Sequence, residues 1–210
     1  MSTPSEEAAT SPSWREALEH PVVARLAQQL QARVAHDADD PQARLAAVAA
    51  VLRVRDEPEL LFIKRAVVAG DPWSGHIAFP GGRHDVTDAS LVHTAIRETR
   101  EETAVDLDAS GHVLGRLDDL APRSPTLPRI IIRPFVALVR PDTVVMANHE
   151  VSAHFWVPLD ALRRPEAQAE HVLTHEGQRL RFPGVLVGGH VTWGLTERIL
   201  RQLLDLSWLG

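Results

Sequence analysis

The stretch that most constrains this chain is Phe79-Pro80-Gly81-Gly82-Arg83, followed by a helix-patterned segment ending Arg97-Glu98-Thr99-Arg100-Glu101-Glu102. On a helix at about 100° per residue, residues 89–103 put Leu91, Val92, Ala95, Ile96, Thr99 and Thr103 on one broad face. Glu98, Glu101 and Glu102 gather on the adjoining face, and Glu98 and Glu102 stand one turn apart with their carboxylates side by side. Like charges at that spacing cost a helix roughly 0.2–0.5 kcal/mol per pair, so the cluster needs a compensating partner. Arg97 supplies part of it through its four-residue spacing to Glu101. The remaining oxygens make a site for a hard divalent cation. Three glutamates alone would read as a solvated helix face; what precedes them changes that reading.

Gly81-Gly82 follows a short apolar strand, His76 to Phe79, and a proline. Paired glycines there allow positive φ and close approach of a ligand to the backbone, and leave a carbonyl oxygen free to join a metal shell. Glycines alone would be an ordinary turn. Strand, glycine turn and carboxylate helix in this order are a far rarer combination.

The stretch Gly82-x5-Asp88-x8-Arg97-Glu98-x2-Glu101-Glu102-x-Ala104-Val105 resembles the Nudix box, G-x5-E-x7-R-E-U-x-E-E-x-G-U. It is most similar to the coenzyme A pyrophosphatase branch, FPGG(K/R)-x-D-x-x-D-x5-TA-x-RE, with Asp85, Asp88, Thr94-Ala95 and Arg97-Glu98 in register. The likeness runs from about Ala46 to Leu206, through Leu60-Leu61 to Arg65, Arg133 to Val136, Glu150-Val151 and Phe155 to Leu159. Three departures stand out. Ala66 to Pro72 lacks the serine and further arginine of the coenzyme A motif, Ala104 replaces a helix-ending glycine, and Asp88 is one methylene shorter than the usual glutamate. The missing glycine implies a helix cap built differently.

The resemblance implies an α/β fold, a Nudix-type α/β/α sandwich with a mixed β-sheet. It implies a Mg²⁺- or Mn²⁺-dependent hydrolase acting on a small-molecule nucleoside diphosphate derivative, coenzyme A or a relative of it leading. ADP-ribose, dinucleoside polyphosphates, or a catalytically silent module that binds a nucleotide as a sensor are the alternatives. Metal ligands are then Glu98, Glu102, Glu101 and the Gly81 carbonyl. The general base is one of these glutamates or Glu150 on a later loop, while Arg97 orients the carboxylates through Asp88 or Glu101. Arg65, Gly82 and Arg83 are placed at the substrate. A homodimer is a further expectation.

Composition narrows the rest. With 210 residues, 44% hydrophobic and 24% charged, the chain has room for a full core. A net charge of −6 with scattered basic residues argues against gripping nucleic acid. The absence of cysteine removes disulfides and thiolate chemistry. No apolar run approaches the roughly 20 residues of a membrane span, and Met1 to Glu7 lacks the pattern of a signal peptide, so a cytoplasmic address is expected.

Residues 1–13 read as a disordered tail, 14–40 as a helical extension restarted at Pro21, and 41–210 as the catalytic domain. The extension is expected to pack on the domain or serve a dimer contact, with 37–41 as a linker. Strands are expected at 45–54, 60–65, 76–79, 113–120, 130–139 (bent or bulged at Pro134) and 150–157, with hairpins near 170–182 and 185–193. A final helix at about 196–206 turns Leu195, Ile199, Leu203 and Leu206 inward. The eleven histidines show no ligand spacing that survives on strands.

Overall fold

A computed structural model describes residues 13–71, 73–122, 128–175 and 178–208. The tail expected at 1–13 lies outside them as far as residue 12, as does most of the proline-rich loop at 121–128.

A 3-10 helix, Trp14–Glu19, opens the described chain, with the Ser13 hydroxyl accepting from the Arg15 N–H and Glu16 reaching back to the Ser13 N–H. Pro21 then starts α1 (Pro21–Ala32) at the position where a missing N–H costs nothing. The elements that follow are β1 (Arg44–Val54), β2 (Pro58–Arg65), β3 (Ile77–Ala78), β4 (Gly81–Arg83), α2 (Leu91–Thr103), α3 (Leu107–Ser110) and β5 (Gly111–Arg116). After them come β6 (Ile130–Val139), β7 (Val151–Pro158), α4 (Leu159–Arg163), β8 (Gln168–His175), β9 (Gln178–Val187), β10 (His190–Trp193) and α5 (Leu195–Trp208).

β1 and β2 form the expected hairpin, Leu52 opposite Leu60 and Val54 opposite Pro58. β6 runs parallel to β1 on its other side, with β5 antiparallel beyond it, and β7 lies antiparallel on the outer edge of β2. Beyond the hairpin β1 and β2 part, and two short strands enter the gap. β3 pairs with β2 through Ile63 and Lys64, and β4 pairs with β1 through Ala46, Ala47 and Val48. A hydrogen bond from the Ala49 N–H to the Pro80 carbonyl, 2.8 Å, ties the bend to β1. The double glycine is therefore wedged into the sheet.

Apolar residues face both ways from β1, as a strand buried on both faces requires. Ala47, Ala49 and Val51 pack with Ala95 and Val105 on the α2 side. Ala46, Ala50 and Leu52 pack on the side of α1 and α5. The result is the α/β/α sandwich with a mixed sheet. A smaller antiparallel sheet, β8–β9–β10, seats Val185 and Val187 on the α1–α5 side. α1 belongs to this core: Val23 and Leu26 are fully buried beside Leu200 and Leu203. Each such side chain contributes about 1.5–3 kcal/mol. The expected linker after it is a buttress, because Asp37 bridges Arg116 and Arg133 while buried Asp119 holds Arg133 at 2.7–2.8 Å.

Three expectations need correction. β6 runs unbroken through Pro134, and the irregularity in its pairing falls in β5 between Val113 and Gly115 instead of at the proline. β5 covers 111–116 instead of reaching 120. It stops where Leu117 donates to the Pro134 carbonyl at 2.9 Å and proline has no N–H to return. Leu200, not singled out on the last helix, is fully buried, while Leu206 is only partly so.

The cap of α2 is also not built differently. Ala104 itself takes the left-handed conformation, φ 58° and ψ 12°, and its N–H closes on the Arg100 carbonyl at 2.9 Å. A left-handed L-residue costs roughly 1–2 kcal/mol, offset in part by the extra entropy glycine loses on folding. Ala104→Gly is therefore expected to stabilise the protein by about 1 kcal/mol, read as a higher urea midpoint at unchanged slope.

Candidate active site

α2 carries the acidic cluster against the wedge. Glu102 is 2% exposed, and its Oε2 accepts from the Gly81 N–H at 2.9 Å. Among the described residues no other donor reaches it. Burial pushes its carboxyl from the ordinary 4.5 up to about 7, with Glu98 and Glu150 adding repulsion and Gly81 and Arg65 opposing. Glu98 is likewise raised by burial, with Arg97 pulling the other way. Its carboxylate lies directly over Gly82, where a Cβ would meet Glu98 Cδ at 2.5 Å.

Arg97 uses all five of its N–H donors. Nε and Nη2 clasp Asp88 at 2.9 and 3.0 Å, Nη1 reaches Glu98 at 2.9 Å and Glu101 at 3.1 Å, and Nη2 also meets the Arg83 carbonyl at 3.2 Å. Asp88 accepts from the Thr94 hydroxyl and the Asp85 N–H as well. The hydrogen bonds from Arg97 hold its carboxyl well below the usual carboxylate range. The shorter aspartate thus makes the same clasp a glutamate would be expected to make. Arg97→Lys would keep the charge and lose the fork. We expect kcat about 10–100-fold lower with KM little changed, the range for a residue that acts by holding neighbouring carboxylates in place.

The expected residues do not all converge. Glu98 and Glu102 do, at the bend. Glu101 is turned to Arg97 with its side chain half exposed, and among the described residues no three acidic or imidazole groups close on one point. Gly81 presents its N–H to Glu102, while its carbonyl has no side-chain partner among the described residues. Glu150 sits in the turn just before β7, exposed, on a loop pinned to the end of α2 by Met146 to Thr103 and Asn148 to Glu102. It is near enough to raise both Glu98 and Glu102. Arg65 pairs with Asp71 at 2.8 Å, and the exposed Arg83 lies opposite Ala46 of β1 and lends its carbonyl to Arg97, with no side-chain partner among the described residues.

Sequence reading passed over Thr94, whose hydroxyl steadies Asp88, and Asp71, which holds Arg65. The Thr94-Ala95 pair in register with the family motif was the available signal for the first.

A divalent cation fits these residues. The donor set is hard oxygen, and a buried carboxylate with a single hydrogen bond and a raised pKa is short of positive charge.

The NUDIX domain family matches residues 43–177. The NudL protein of Cronobacter sakazakii is 34% identical over 161 residues, 76% of this chain and 81% of its own length. The human mitochondrial coenzyme A diphosphatase NUDT8 is 33% identical over 155 residues, 73% of this chain and 64% of its own. A Schizosaccharomyces pombe relative, 36% identical over 115 residues, is spanned over only 35% of its length. A MutT/nudix family protein from Enterococcus faecalis superposes with a TM-score of 0.53 at 19% identity, over 82% of this chain and 64% of that one, a likeness of fold. No described helix is long and apolar enough to cross a membrane. On the domain match and these relatives, the chain belongs to the Nudix hydrolase family.

Proposed function

We propose that this protein hydrolyses the diphosphate of a nucleoside diphosphate linked to another moiety, with coenzyme A or a derivative as substrate and Mg²⁺ or Mn²⁺ as cofactor. The observation that carries the reading is the buried, single-bonded Glu102 carboxylate set beside Glu98 at the double-glycine bend. Arg97 shields only the Glu98 member of this pair directly, and Glu102 has one backbone N–H, so a cation would relieve both burial and repulsion. The name of the human relative, a coenzyme A diphosphatase, supports the substrate.

In this reading Glu98 and Glu102 hold the cation, with Glu101 and the Gly81 carbonyl completing the set as substrate arrives. When bound, the cation supplies charge neutralisation at the phosphate oxygens and a lowered pKa for its water. Glu150, exposed on the same side, accepts the proton of the attacking water. Arg97 has no donor left for substrate and acts by fixing Glu98 and Glu101. Gly82 and the exposed Arg83 border the diphosphate, and Arg65 faces it from the end of β2.

The test is a panel of coenzyme A, ADP-ribose, a dinucleoside polyphosphate and a nucleoside triphosphate, with products resolved by mass. Coenzyme A is expected to give adenosine 3′,5′-bisphosphate and phosphopantetheine with Mg²⁺, and nothing with chelator. Turnover of ADP-ribose alone would move the substrate assignment, and no turnover of any member would remove it.

A further inference from the structure

A second concavity, of about 210 Å³, opens where the chain enters the double-glycine bend and meets the small sheet. Gly75, His76 and Ile77 form one wall, and His171, His190 and Trp193 the other. His171 stacks on Trp193 with centroids 4.0 Å apart and planes 6° from parallel, so that indole face is already covered. A nucleobase has no platform there. The polar groups point to a different ligand.

Lys64 is the only lysine in the sequence, and among the described residues no carboxylate pairs with it. Its Nζ stands 3.5 Å from His190 Nε2. Thr192, which also lines the cavity, is 1% exposed, and its hydroxyl has no hydrogen-bond partner among the described residues. No acidic residue lines the walls. Burial first, then the neighbouring His171, push the His76 imidazole down, and Asp71, itself paired with Arg65, opposes them only in part. Three imidazoles and a spare buried hydroxyl line a cavity with no acidic wall, and the Lys64 ammonium stands against one of those imidazoles, His190; together they suit an anion rich in acceptor oxygens. The volume falls below the roughly 300–1,000 Å³ of sites that hold a whole ligand, so one group of a larger molecule fits it. Arg65 links the two places, since it acts electrostatically on His76 and on Glu102.

We propose that this cavity is a subsite for a phosphate monoester that the substrate carries away from its scissile diphosphate, held by Lys64 and His190 with His76 and Thr192 beside them. The assignment rests on the diphosphatase reading given above, and the experiment keeps the two apart.

Coenzyme A and dephospho-coenzyme A differ only in that monoester. Wild type is expected to favour coenzyme A by about 10–100-fold in kcat/KM, the range for one charge-assisted contact. Lys64→Met should bring the ratio toward parity through loss on coenzyme A, and Lys64→Arg should retain most of it. Equal use of the two substrates by wild type, or equal loss on both in Lys64→Met, overturns the proposal. The second arm needs no turnover. Inorganic phosphate titrated into metal-free protein should shift the ring resonances of His76 and His190, assigned by single His→Gln variants, and Lys64→Met should abolish the shifts. Unmoved histidines overturn the subsite even if coenzyme A is hydrolysed. Shifted histidines without a substrate preference show a free-anion site and also overturn it. A protein that hydrolyses neither coenzyme but shows the shifts overturns the diphosphatase reading instead.

Discussion

Glu102→Gln is expected to make the metal-free protein more stable at pH 8 while lowering turnover by at least about 100-fold, the upper range for residues that merely support a metal ligand. The two effects share one cause. In the fold the Glu102 carboxyl is raised from 4.5 to about 7, chiefly by burial. A group raised on folding contributes fully below its unfolded value, and that contribution fades as pH climbs through the folded one. With chelator present, wild type should therefore lose stability between about pH 4.5 and 7, by about 3 kcal/mol at the top of the window, since each tenfold gain in proton affinity on folding is worth about 1.4 kcal/mol. The amide cannot ionise and keeps an oxygen for the Gly81 N–H, so the variant escapes this loss. Saturating Mg²⁺ at pH 8 should raise the melting temperature of wild type and leave that of the variant alone. If the chelated wild type is as stable at pH 8 as at pH 5, Glu102 is not the strained carboxylate described here.

The parts of this molecule that were legible in the sequence are those governed by local rules. The 3.6-residue period of α2, the restart of a helix at Pro21 and the Gly188-Gly189 turn each depend on residues close in the chain, and each appears as read. What escaped depends on partners far away. Pro134 was expected to bend its own strand, yet the cost fell on β5, because the missing donor belongs to the neighbour's ladder. Asp37 looked like linker chemistry until Arg116 and Arg133 came to it from residues more than 75 positions on. Ala104 shows a third kind of miss, where the backbone kept the conformation of a glycine and absorbed the strain.

The site divides along the same line. Spacing on one helix placed Glu98 beside Glu102 and Arg97 beside Glu101, because a helix fixes those relations by itself, whereas Asp88 precedes the helix and was given as an Arg97 partner by the resemblance. It ranked Glu101 behind Glu98 and Glu102 but could not give the reason, since only the fold buries Glu102 under Gly81 while Glu101 faces solvent. The cavity around His76, His171 and His190 was beyond sequence spacing altogether. Those three residues come from the bend, β8 and β10, and meet only when the small sheet closes on the wedge.

The two glycines of the bend should fail in opposite ways. Gly81 has φ +152°, and a Cβ on it would lie 2.4 Å from the Ala47 carbonyl oxygen and 2.5 Å from Val48 Cα. Both are backbone atoms of β1, held in register by β6 on the far side, and cannot step back. Gly81→Ala is therefore expected to cost at least about 2–3 kcal/mol, combining backbone strain with overpacking. Gly82 has ordinary backbone, and the atoms a Cβ would meet, at 2.5–2.6 Å, all belong to the Glu98 carboxyl group. That group is the free end of a side chain and can swing away. Gly82→Ala should thus change stability by less than about 1 kcal/mol, within the range of substitutions that leave the core alone. Turnover should nonetheless fall at least about 100-fold, because the displaced carboxylate no longer stands beside Glu102. Urea unfolding of both variants, with the Mg²⁺-dependent rise in melting temperature as the second readout, separates the cases. A Gly82→Ala protein that still turns over at the wild-type rate would mean that the position of Glu98 over the bend has no part in the chemistry.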